Sequence, residues 1–123
     1  MPTPFIQDND RYRVDHMIEF CEKLAELANS ISEEILEDDW VYTFAVMQLY
    51  EMLGEAASKV SSELKIKYDE IPWRDITDLR NRLIHGYDDT EHHLLWLAME
   101  NDVPPLLEQL YHVRKDFEAN PSV

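Results

Sequence analysis

The sequence predicts an all-α fold, an up-and-down bundle of four to five helices, and three observations lead to it. Apolar residues recur at spacings of three and four along most of the chain, and no stretch alternates as a strand would. Only two glycines occur in 123 residues, few for a fold rich in tight turns. The prolines stand near the ends (Pro2, Pro4, Pro121) or where helices can begin (Pro72, Pro104, Pro105).

The elements follow in order. Asp8-Asn9-Asp10 can cap a first helix from about Arg11, whose stripe is Val14, Met17, Ile18, Cys21, Leu24, Ala25 and Ala28. Ser30 or Ser32, followed by Glu33-Glu34, starts a short turn around Ile35. Asp38-Asp39 can cap a long helix from Trp40 to about Val60, with Val41, Phe44, Ala45, Gln48, Leu49, Met52, Ala56 and Val60 as its stripe. Gly54 within it costs roughly 1 kcal/mol against alanine, which points to close helix contact there. Ser61-Ser62-Glu63 opens another short helix ending near Tyr68. Pro72 fits the first position of the next, with Ile76, Leu79 and Leu83 as its core face and Gly86 as a left-handed C-terminal residue. Thr90 to Met99 reads as helix. A break near Asn101-Asp102 precedes a last helix from Pro104 to about Glu118.

A chain of this length forms one domain spanning residues 1–123, with 1–9 and 119–123 expected as flexible ends. The single cysteine, Cys21, excludes an internal disulfide and suits a reducing, cytoplasmic setting. The N-terminus lacks the basic start and apolar run of a signal peptide, and no membrane association is expected. Eleven basic against 26 acidic residues give a net charge of −15. That charge opposes avid, nonspecific binding of nucleic acid but is compatible with a small basic site inside an acidic exterior.

Arg80-Asn81-Arg82-Leu83-Ile84-His85-Gly86-Tyr87 joins a fixed cation, an amide, a titratable imidazole and a phenol at the end of a helix. Asn81 and His85 are four apart and share a face. Arg80 and His85 are five apart, roughly 140° round an ideal helix. They converge only if the last turn unwinds or if two chains complete the site. Arg80 could stabilise extra negative charge on a phosphate, and His85 could move a proton near neutral pH. A purely structural role is the alternative: Arg80 pairing with Asp75 or Asp78, His85 satisfying the last carbonyls, Tyr87 packing on the core.

The Arg-x4-His-x-Tyr pattern, with Ile71-Pro72-Trp73-Arg74 before it and Gly54-Glu55-Ala56-Ala57 in the long helix, resembles the HepT-like branch of the HEPN domains. The likeness runs from about Tyr12 to about Phe117. It implies a metal-independent endoribonuclease without cofactor, the toxin of a type VII-like HEPN/nucleotidyltransferase toxin–antitoxin pair. It further implies Arg80 and His85 as the catalytic pair, with Asn81 and Tyr87 in support, and a homodimer. The same resemblance implies a nucleotidyltransferase antitoxin as partner, transferring AMP to Tyr87. The alternative expectation is a non-catalytic HEPN interaction module that binds this enzyme and is adenylylated by it. Asp88-Asp89-Thr90-Glu91 places three carboxylates beside the motif, unfavourable to RNA unless they point away.

Other residues carry weaker signals. His92-His93 diverge by about 100° on a helix, and His16 and His112 are isolated, so no metal site is expected. Cys21 reads as a small buried hydrophobe. Trp40, Trp73 and Trp96 read as core or dimer-interface anchors. Glu33, Glu34, Glu37, Asp38 and Asp39 form an acidic corner, solvated or open to a basic antitoxin.

Overall fold

A computed structural model describes residues 4–86 and 91–119, with side chains at 9–83 and 92–119. All its regular structure is helical. Helix α1 spans Pro4–Ser30, α2 Glu33–Asp38, α3 Trp40–Ser58, α4 Ser62–Lys67, α5 Trp73–Gly86, α6 Glu91–Leu97 and α7 Val103–Ala119. Four long helices pack in the order α5, α3, α1, α7, and the short ones close the assembly. None of the described helices is long and apolar enough to cross a membrane.

Local chemistry fixes most of the boundaries. Ser32 caps α2 by accepting from the Ile35 amide at 3.2 Å, and Asp39 caps α3 by accepting from Val41 at 3.0 Å. Ser61 caps α4 by accepting from Leu64 at 3.1 Å. The buried Thr43 hydroxyl donates to the Leu36 carbonyl, tying α2 to α3. Val14, Met17, Ile18, Cys21 and Leu24 of α1 are buried, as its periodicity predicts, and meet Leu106, Leu110 and Val113 of α7 in the core. Each such side chain contributes about 1.5–3 kcal/mol by leaving water.

Four expectations are revised. First, α1 begins at Pro4, ahead of the cap pattern at Asp8-Asn9-Asp10. The Asp10 carboxylate accepts from the Ser61 amide at 2.9 Å and the Ser61 hydroxyl at 2.6 Å, so it braces the start of α4 instead. Second, α3 buries Thr43, Val46, Tyr50, Leu53, Gly54, Ala56 and Ala57, while Val41, Phe44 and Met52 from its expected stripe are exposed. This helix carries apolar side chains almost all round, so periodicity alone does not select the inner face. Third, Pro72 precedes α5 rather than opening it, its carbonyl accepting from the Ile76 amide at 3.1 Å. Fourth, the expected break at Asn101-Asp102 is a π-helical turn, Ala98–Asp102, in which the Val103 amide donates to the Ala98 carbonyl. Pro104 and Pro105 follow without amide hydrogens, so an ordinary α turn could not bond there.

Candidate active site

Helix α5 carries the motif, and its start is anchored firmly. Trp73 is buried and its indole donates to the Tyr68 carbonyl at 3.0 Å, beside buried Ile71 and Ile76. One turn further along, α5 crosses α3 at Gly54. A Cβ on Gly54 would overlap the Cβ of Arg80, stand 2.9 Å from its Cγ and 3.2 Å from the Ile76 carbonyl oxygen. The missing side chain of Gly54 is therefore the space through which the Arg80 stem passes.

Arg80 then meets α3 a second time. Its Nη2 pairs with Glu55 Oε1 at 2.8 Å, and its Nη1 donates to Asn81 Oδ1 at 3.1 Å. The partners expected from neighbouring sequence, Asp75 and Asp78, are replaced by Glu55. Asn81, expected in support of the catalytic pair, here holds the guanidinium. Glu55 also bonds Lys59 Nζ at 3.1 Å. The Lys59 hydrogen bond and charge, then the charges of Arg80 and Arg13, hold the Glu55 carboxyl below the usual carboxylate range against a smaller desolvation effect. Together with Arg13, His16, Gln48, Glu51 and Met52, Glu55 and Arg80 line an open groove of about 420 Å³ between α1, α3 and α5. Two arginines and a histidine thus share this groove with two glutamates.

The last turn of α5 is helical through Gly86. It does not unwind, so the positions of Arg80 and His85 stay roughly 140° apart on one helix. His85 stands on that turn by its backbone, and Tyr87 with the Asp88-Asp89-Thr90 stretch lies outside the described residues. Sequence reasoning missed Arg13, His16 and Lys59, and it gave Glu55 no role. The only available signal was Gly54-Glu55, a glycine in mid-helix beside a charged residue.

The weaker candidates resolve simply. Cys21 is buried, and burial pushes its thiol up to about 12, which suits a core residue rather than a nucleophile. His92 is buried, whereas His93 is exposed and bonds Glu33 at 2.6 Å. Trp73 and Trp96 are in the core, but Trp40 is 68% exposed and meets Phe44 edge-on at 5.5 Å. In the acidic corner Asp39 caps α3 and Glu33 holds His93, so those two carboxylates have structural duties.

Comparison with known proteins bears on what this site does. The family described as "Ribonuclease HepT-like" matches residues 17–113. "Putative RNase TTE0752" of Caldanaerobacter subterraneus subsp. tengcongensis is 30% identical over 81% of this chain and 89% of its own. "Probable ribonuclease HepT" of Thermococcus cleftensis is 30% identical over 85% of this chain and 98% of its own. No solved structure gives a significant match. The family match runs from Met17 in the first helix through Glu55 and the Arg80 motif into α7, and on that span the chain belongs to the HepT-like ribonuclease family.

Proposed function

We propose that this ribonuclease-family chain is a metal-independent endoribonuclease working as a homodimer, the cytoplasmic toxin of a toxin–antitoxin pair. The observation that carries the reading is the groove at Arg80, where two arginines and a histidine meet in one open cleft, beside two glutamates, on a chain of net charge −15. An imidazole at His85 would take the proton from a ribose 2′-hydroxyl. Its oxygen would then attack phosphorus, forming a 2′,3′-cyclic phosphate as the 5′-oxygen leaves and gains a proton. Arg80 would stabilise the added negative charge, its guanidinium held ready by Glu55 and Asn81.

Two features support the dimer. Arg80 and His85 diverge on an intact helix, so a two-fold partner is the remaining way to bring both to one phosphate. Among the described residues a ridge on α3 is also uncovered: Trp40, Phe44 (62% exposed) and Met52 lie along one face at steps of four and eight, with Gln48 between the last two and Met52 lining the groove. Apolar side chains in such a row mark an interface.

Tyr87 would receive AMP from a nucleotidyltransferase antitoxin. Its phenolate oxygen would displace pyrophosphate from ATP, and the added charge would repel RNA from the groove. A second reading is favoured by the strong acidity of the chain: a binding module whose main event is that modification. The test is RNA cleavage in EDTA followed by mass analysis of the ends. The ribonuclease reading requires 2′,3′-cyclic phosphate ends and no cleavage of RNA carrying 2′-methoxy groups. Metal-dependent cleavage leaving 5′-phosphates would overturn it.

A further inference from the structure

Helix α1 brings two residues into the groove that the motif does not include. Arg13 and His16 stand on α1, and Arg80 reaches the same groove from α5. The His16 ring is held in an aromatic row, with the Tyr12 ring centroid 4.2 Å away on one side and Phe20 5.9 Å away on the other. The Arg13 guanidinium lies over the Tyr12 ring at 5.2 Å. The ring contacts at four-residue steps limit the freedom of His16 and the Tyr12 ring limits that of Arg13, and limited freedom lowers the entropy lost when they bind a ligand.

We propose that Arg13 and His16 form a second phosphate subsite, which binds the RNA backbone next to the phosphate held at Arg80. The inference rests on the ribonuclease reading and adds residues to it. A chain this acidic repels RNA at a distance, so affinity must come from cations placed along the strand. Arg80 alone is one such cation and is already engaged by Glu55. Arg13 supplies a second permanent charge in the same groove, close enough to act on Glu55. His16 supplies a ring N–H that can donate to a phosphate oxygen in either charge state. The groove also presents Glu51 and Glu55, whose charges oppose an anion. The proposed phosphate would therefore bind on the α1 side, at Arg13 and His16, away from α3.

The experiment measures binding of a fluorescent single-stranded RNA 12-mer, fully 2′-methoxylated so that it cannot be cut, as salt is raised. The 123-residue chain is used, as wild type and as Arg13→Gln, Arg13→Lys, His16→Gln and Lys67→Gln. Lys67, on α4, is the control for general charge loss. Each phosphate contact of a single strand adds about 0.7 to the slope of log affinity against log salt. Arg13→Gln should weaken binding about tenfold and lower that slope by about 0.7, while Arg13→Lys keeps it. His16→Gln should weaken binding severalfold, and Lys67→Gln should match wild type. Equal behaviour of Arg13→Gln and Lys67→Gln, in a wild type that cuts RNA, overturns the subsite and leaves the ribonuclease reading intact. A wild type that neither binds nor cuts RNA overturns both.

Discussion

Glu55 decides how Arg80 can meet a phosphate. The carboxylate spans Arg80 and Lys59, so the guanidinium is aimed but not idle, and a phosphate must share it or displace the carboxylate. Because Lys59 is the largest cause of the low Glu55 carboxyl value, Lys59→Met should move its NMR titration back toward 4.5 more than Arg80→Met does. The folded-state value lies below the unfolded one. The stabilisation is therefore complete above 4.5 and lost only as pH falls through the lowered value, and the ion pair persists at neutral pH. Cys21 gives a second prediction. With its thiol at about 12 and buried, it should resist iodoacetamide at pH 8 in native protein and react only on unfolding. Arg80 was legible as a candidate because its type and position in the motif are local facts. Its partner was not, since Glu55 lies far off in sequence and arrives through the crossing of α3 and α5.

At the scale of elements, that crossing depends on Gly54. Alanine normally favours a helix over glycine by about 1 kcal/mol. Here its methyl would overlap the Arg80 stem, which cannot swing clear without moving α5. Gly54→Ala should therefore destabilise by about 1–3 kcal/mol in urea unfolding and reduce cleavage as well. Asp10→Ala should cost about 1–2 kcal/mol through loss of the Ser61 contacts, leaving the Arg80 groove unaltered. Caps at Ser32, Asp39 and Ser61 were readable because a cap is a local pattern. Asp10 misled for the same reason: a buried carboxylate can serve a distant helix, and adjacency does not reveal which. The inner face of α3 was unreadable because Thr43 and Tyr50 are buried while Val41 and Phe44 are exposed. Hydropathy ranks those residues the other way round, and only the packing of α1 and α5 decides between them.

For the molecule as a whole, the exposed ridge and the intact last turn of α5 argue for two chains. Phe44→Glu should weaken self-association by about 2 kcal/mol or more, as loss of a central interface aromatic does, while helix content and unfolding midpoint at low concentration stay close to wild type. Sedimentation beside cleavage assays would check this, and activity should fall with the dimer fraction. The helical class and the motif could be read from sequence, as could the family. The exposed ridge could not, since it follows from which side of α3 the bundle consumes. In the proposed reaction His85 is the group that moves the proton. The most direct test is cleavage of end-labelled RNA in EDTA by wild type beside His85→Ala, with protein mass first showing Tyr87 unmodified. Loss of cleavage in His85→Ala, with dimer mass and unfolding midpoint unchanged, is the predicted result. Equal cleavage by both proteins, or none by unmodified wild type across tRNA and mRNA substrates, would contradict it.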